Sequence, residues 1–186
     1  FINAEGQSGL EYELSKAFAD YLNVELEIKP LNNSEELFIA LNEHAIDIAA
    51  ANLFYQPNKV EHFQLGPSYY SASWQIAYRK GENRPRSLAQ INSQLVIPDN
   101  AELEHFLKEA KLKNPHLTWM VDKKQTQEEL LLQVADGKID YTIANSLDIS
   151  AAQHIKPQIA VAFDLTDEMS VHWYLSLIHI SEPTRQ

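Results

Sequence analysis

Residues 35–52 read EELFIALNEHAIDIAAAN, and residues 128–145 read EELLLQVADGKIDYTIAN. The two stretches align without a gap at a constant offset of 93 residues, with Glu35, Glu36, Leu37, Ile46, Asp47, Ala51 and Asn52 recurring as Glu128, Glu129, Leu130, Ile139, Asp140, Ala144 and Asn145. Each copy reads as a helix feeding a buried strand. Asn33 with Glu36, and Thr126 with Glu129, stand at the spacing of a capping box, in which a side-chain oxygen satisfies a free N–H of the first helical turn. Leu37, Ala40, Leu41 and His44 follow the i, i+3, i+4, i+7 spacing of one helix face, as do Leu130, Leu131 and Val134 in part, and Gly137 suits a left-handed C-terminal cap. The runs Ile46 to Ala51 and Ile139 to Ala144 are apolar on both faces, the pattern of interior strands in a parallel sheet. Ligands of open α/β sheets bind beyond the carboxyl ends of the strands, which makes Asn52 and Asn145 candidates to face one site.

Composition narrows the function classes. The chain has 186 residues, enough for one domain or two small ones, with 45% hydrophobic and 22% charged residues, an ordinary globular balance. Fifteen basic against 26 acidic residues give a net charge of −11, which argues against nucleic acid and anionic lipid surfaces as partners. There is no cysteine, so disulfides, thiolate metal sites and cysteine nucleophiles are excluded. No stretch approaches the roughly 18 to 20 apolar residues of a membrane span. The chain opens on Phe1 rather than Met, and an upstream segment is expected.

Taken in order, Phe1-Ile2 reads as the tail of a strand. Ser8 with Glu11 forms a capping box for a helix carrying Leu10, Leu14, Phe18, Tyr21 and Leu22 on one face and ending near Asn23, and Val24 to Lys29 alternates as a half-buried strand does. After Asn52, LFYQPNKVEHFQLGPSYY is aromatic-rich, contains two prolines and shows no period, so it reads as a long loop. Tyr69 to Lys80 is extended, and Glu82 to Ser87, with Arg84, Pro85 and Arg86, suits a domain crossing or an anion site. A second βαβα series follows: strand Gln94 to Pro98, a helix capped by Asp99 with Glu102 and burying Leu103, Phe106, Leu107 and Ala110, strand Leu117 to Val121, and the second repeat copy. Ser146 is the expected cap of a short helix, followed by strands Ile159 to Leu165 and Val171 to Leu175. Alternation of this kind in both halves predicts two similar α/β lobes.

The common catalytic motifs are missing: there is no Gly-x-Gly-x-x-Gly, Walker loop, Gly-x-Ser-x-Gly or His-Glu-x-x-His. The seven histidines are scattered, and His44, His105, His116, His154 and His172 read as single structural imidazoles. Paired acids at the helix starts suit the macrodipole. The two carboxylates of a glycosidase are defined by their separation in space, so that class stays open on sequence alone. Two lobes joined by extended crossings near Tyr78 to Gly81 and Val171 to Leu175 would permit hinge closure on a small ligand, with the helix start at Asp99-Asn100 offering N–H groups to an anion.

GLEYELSKAFADYL from Gly9, AIDIAAANLFYQPNKVEHFQLGPSYY from Ala45, QIAYRKGENRPRSL from Gln75, GKIDYTIANS and IAVAFDL together resemble the extracellular solute-binding protein family 3 domain. The version at the N-terminus of membrane-bound lytic murein transglycosylases is similar over nearly all of residues 1–175. The resemblance implies an α/β, type II periplasmic-binding-protein-like fold of two lobes joined by a hinge. Residues 1–79 would form lobe 1 without its C-terminal return, 80–170 lobe 2 and 171–175 the start of the hinge return. The final SLIHISEPTRQ, 176–186, resembles translated sequencing-adapter text and is expected to be a non-native tail. The resemblance further implies a periplasmic, outer-membrane-associated parent whose lytic domain, absent here, carries the catalytic glutamate. Amino-acid binders of the family hold their ligand with a Thr-x-x-x-x-Arg pattern and a later Asp, where this chain has Phe54, Lys59 and Asn145. Lysine lacks arginine's bidentate fork and Asn brings no charge to an ammonium, which disfavours a free amino acid. The expected ligand is a small peptide or muropeptide, bound by Asn3, Asn52, Phe54, Lys59, Tyr69, Tyr70, Asn100 and Asn145. No catalytic residue, metal or cofactor is assigned to this chain. A solute receptor of a transport system is the alternative.

Overall fold

The computed structural model describes residues 2–3, 6–7, 9–31 and 33–177. The chain divides into two compact units, residues 1–70 with 170–186 and residues 71–169.

In the first unit a short hairpin of β1 (Ile2–Asn3) and β2 (Gly6–Gln7) precedes α1 (Leu10–Leu22) and α2 (Ser34–Asn42). The strands β3 (Ile48–Phe54), β4 (Gln64–Ala72, its last two residues beyond the unit boundary) and β10 (Met169–Leu175) form a sheet in the order β3-β10-β4. Asn33 caps α2 as expected, its Oδ1 accepting from the Glu36 N–H at 2.9 Å. The core is Phe38, Leu41, Ala49, Leu53, Phe63 and Tyr174. The Phe38 ring packs edge-on to Tyr174 at 5.2 Å between centroids.

Several expectations fail in this unit. Gly9, not Ser8, is the N-cap of α1, without a side-chain bond; Ser8 itself lies outside the described residues, and Glu11 is engaged elsewhere. Val24 to Lys29 forms no strand, because no backbone among the described residues pairs with it. The described sheet therefore stops at β3, and the expected apolar face of α1 stays largely open: Leu10, Phe18, Tyr21 and Leu22 are all exposed and only Ala19 is buried. The last part of the supposed aromatic loop, residues 64–70, is β4. β3 pairs antiparallel with β10 rather than lying inside a parallel sheet.

The second unit carries a five-stranded mixed sheet in the order β7-β6-β8-β5-β9, built from β5 (Trp74–Arg79), β6 (Leu95–Pro98), β7 (Met120–Asp122), β8 (Tyr141–Asn145) and β9 (Ile159–Asp164). Helices α3 (Ala101–Lys113), α4 (Gln127–Asp136) and α5 (Ser146–Ile155) complete it. Central β8 is buried along its whole length and runs parallel to β6 but antiparallel to β5. Strand β5, assigned from sequence to the first lobe, belongs here because it pairs with both β8 and β9. The basic stretch after it is no crossing either: Arg84 Nε donates to the Ala162 carbonyl at 2.8 Å and Pro85 is buried.

The repeat now has a physical meaning. Thr126 and Glu129 close the full capping box of α4, which buries Leu130, Leu131, Val134 and Ala135. The partner helix α2 buries Phe38, Ala40 and Leu41, and ends before His44. Gly137 is left-handed at φ 72°, and His44, its counterpart 93 residues earlier, is left-handed at φ 57° with Nδ1 2.7 Å from Ser176 Oγ. A Cβ at position 137 would lie 2.8 Å from Arg79 Nη1, a flexible group that can move aside. The backbone angle therefore dominates, and Gly137→Ala should cost about 1 to 2 kcal/mol in urea unfolding; an unchanged midpoint would contradict this account.

Candidate functional site

In the first unit the key local feature is a bulge in β3. Leu53 pairs with His172 and Ala49 with Tyr174, so Ala50, Ala51 and Asn52 together oppose the single residue Trp173. Asn52 accommodates the extra length in a left-handed conformation, φ 52°. A bulge removes backbone groups from the ladder and re-aims side chains. The freed Asn52 N–H donates to Glu11 Oε1 at 2.8 Å, and the Trp173 indole Nε1–H donates to Glu11 Oε2 at 2.8 Å. The Tyr69 hydroxyl donates to Oε1 as well. One carboxylate from α1 thus ties β3, β4 and β10 together. Burial, reinforced by the neighbouring Glu11 carboxylate, pushes the Tyr69 phenol far above its usual range, so it stays a donor throughout neutral pH. Around this hub Phe18 meets Trp173 edge-on at 5.8 Å, and Tyr69 stands 6.0 Å from Trp173 and 6.5 Å from Tyr70. The buried Asn52 Oδ1 has no hydrogen-bond partner among the described residues.

In the second unit Asn145 ends β8 and, rather than Ser146, is the N-cap of α5. Its Oδ1 accepts from the Asp148 N–H at 2.9 Å and its Nδ2 donates to Asp148 Oδ2 at 2.7 Å. Gln127 Nε2, at the start of α4, donates to the same Oδ2 at 2.6 Å. Burial pushes the Asp148 carboxyl up to about 6; the Asn145 hydrogen bond opposes this and the like charge of Glu128 adds to it. Ser146 N–H donates to the Ser73 carbonyl at 3.0 Å, fixing the turn between β8 and α5 against β5.

The remaining candidates separate. Phe54 is 3% exposed and accepts the Tyr174 hydroxyl at its carbonyl, 2.9 Å away, so its ring is core and does not stack on a ligand in this structure. Lys59 places Nζ 4.4 Å from the Phe38 ring centroid, a cation–π contact. Asn100 caps α3 in place of Asp99, its Oδ1 accepting from the Glu102 and Leu103 N–H groups at 3.0 Å each. The Asn3 side chain lies outside the described residues. Asn52 and Tyr69 are brought together, with Tyr70 beside them. Sequence reading missed the two carboxylates, Glu11 and Asp148, that hydrogen-bond to Asn52 and Asn145. Asn145-x-x-Asp148 has capping-box spacing and could have revealed one; Glu11 carries no local signal. His172, 9% exposed with Nδ1 and Nε2 each 2.8 Å from a partner oxygen, is a structural imidazole as expected. Among the described residues no helix is long and apolar enough to cross a membrane.

Known proteins place this architecture. A lytic murein transglycosylase F of Mannheimia succiniciproducens, described as membrane-bound, is 64% identical over 94% of this chain, and that of Pasteurella multocida is 62% identical over 98%. The chain spans only 36% and 37% of those relatives' lengths. Among solved structures, an ancestral arginine-binding protein bound to arginine superposes with a TM-score of 0.79 at 18% identity, over 95% of this chain and 78% of the other. A putative L-cystine ABC transporter protein from Listeria monocytogenes gives 0.79 at 16% identity, over 97% and 78%. These neighbours establish the type II periplasmic-binding-protein-like fold. The pattern of the bacterial extracellular solute-binding proteins, family 3, matches residues 1–137, and the chain belongs to that family.

Proposed function

We propose that this chain is the non-catalytic, ligand-sensing module of a periplasmic lytic murein transglycosylase, associated with the outer membrane in the full-length protein. It takes up a cell-wall peptide or muropeptide by closing its two lobes about a hinge, and the closed state regulates the lytic domain that follows in the same chain. The observation that carries this reading is the 64% identity to a transglycosylase of which the solute-binding part is about one third. The side chains support a ligand with amide groups. Lys59 and Asn145 stand where amino-acid binders of the family have a bidentate arginine and an aspartate, while Asn52 and Asn145 sit at or near strand ends with amide chemistry. The structural neighbours that bind arginine favour the second reading, a transport-linked amino-acid receptor.

Titration calorimetry separates the two. A muropeptide tripeptide should bind, with free arginine and glutamine at least about tenfold weaker, since a charged hydrogen bond is worth about 1.5 to 3 kcal/mol. Tight binding of a free amino acid with no heat from the muropeptide would overturn the sensing reading in favour of the receptor.

A further inference from the structure

We propose that the second unit carries a separate glycan site, a polar pocket that takes a neutral sugar unit at the end of the sheet opposite Asn145. The pocket measures about 360 Å3, inside the range of roughly 300 to 1,000 Å3 found for small-molecule sites. It is built from the start of β8, the end of β5 with the loop after it, the turn before β6 and the Gly137 cap of α4. Tyr141 lines it, and Asn145 stands at the other end of the same strand, about 13 Å away in extended backbone. The inference goes beyond the sensing reading and does not depend on the peptide.

The polar side chains of this pocket are largely unspent. The Arg79 guanidinium lies against Gly137, where a Cβ would come within 2.8 Å of Nη1, so the missing side chain makes room for the fork. No carboxylate among the described residues pairs with it; Asp136, at the end of α4, is taken by Lys156 at 3.1 Å and Lys138 at 3.9 Å. The side chains of Glu82, Asn83, Asn92 and Ser93 make no hydrogen bond to any described residue, and Asp140 uses only Oδ2, on the Gln94 N–H at 3.1 Å.

These groups decide the charge of the ligand. An anion would meet Glu82 and Asp140, and a cation would meet Arg79, whereas a neutral molecule with donors and acceptors side by side uses all three. Adjacent sugar hydroxyls are such a pair: two oxygens for the guanidinium fork, or two O–H donors for a carboxylate. The carboxamides of Asn83 and Asn92 each offer both a donor and an acceptor, which matches an acetamido group. Ile139 and Tyr141, the apolar part of the lining, are both buried, so the pocket has little to offer a mainly apolar ligand.

The test follows the amide NMR spectrum of the chain during titration with N,N′-diacetylchitobiose, with its fully deacetylated, cationic form and with glucuronic acid. The neutral disaccharide should shift the Gly137 and Ser93 amides and leave those of Asn145 and Asp148 in place. Both charged sugars should bind at least about tenfold more weakly, since each sets a like charge against the lining. Arg79→Ala should weaken the neutral sugar about tenfold, and Arg79→Lys, which keeps the charge without the fork, should recover part of the loss. No shift at Gly137 and Ser93, a charged sugar bound as tightly as the neutral one, or unchanged affinity in Arg79→Ala overturns the proposal. Shifts centred on Asn145 overturn it too, because they put the sugar at the other end of the sheet. Each of these results leaves the sensing reading standing, since the muropeptide tripeptide that tests that reading contains no sugar. The wild-type titrations need no variant to fold, so the proposal is decided even if Arg79→Ala does not.

Discussion

Glu11→Ala should destabilise the first unit by about 3 kcal/mol or more, because it strands three donors at once. Each buried donor left without an acceptor costs about 1 to 3 kcal/mol. Here the three are the Asn52 N–H, the Trp173 indole N–H and the Tyr69 hydroxyl. A loss of this size is a large share of the roughly 5 to 15 kcal/mol that holds a domain folded. The bulge is also affected, since Glu11 is the acceptor for the backbone N–H of a left-handed, non-glycine residue. Glu13→Ala, on the same helix but exposed, should stay within about 0.5 kcal/mol. Urea unfolding measures the difference. The indole N–H resonance of Trp173 reports the cause, shifting in Glu11→Ala while Trp74 and Trp119 hold their positions. If Glu11→Ala and Glu13→Ala unfold at the same midpoint, the carboxylate is no hub.

What could be read from the sequence was local. Helix starts at Asn33 and Thr126 and the stop at Gly137 follow from short-range chemistry, and the structure has all three. Strand membership depends on distant partners and was harder to read. Val24 to Lys29 has the right alternation but finds no backbone to pair with among the described residues, whereas β4, with Gly66 and Pro67 inside it, lacks the pattern and still forms. Proline is tolerated there because β4 is an edge strand of its sheet. β5 went to the wrong unit for the same reason: its pairing with β8 and β9 spans some sixty to ninety residues of chain. The twin asparagines show how far a repeat can be trusted. Asn145 is extended and caps a helix, and Asn52 is left-handed within a bulge, so identical letters at identical positions perform different tasks. Neither carboxylate beside them could be assigned without knowing what lies across the fold.

Asp148→Asn should make the second unit more stable by about 2 to 3 kcal/mol above pH 6, and should make no difference below about pH 4. The folded unit holds the proton up to about pH 6 because burial disfavours the anion, while an unfolded aspartate releases it near its ordinary value of 3.8. Between those values the folded state binds a proton that the unfolded state has lost, so wild-type stability falls as pH rises through the window, and the full penalty is present above it. Asparagine removes the penalty and keeps the contacts, since its carbonyl oxygen can accept from both Asn145 Nδ2 and Gln127 Nε2 where Oδ2 does now. Urea unfolding of both proteins from pH 4 to pH 8 tests this, and a variant less stable than wild type at pH 7.5 would show that the charge stabilises the empty unit.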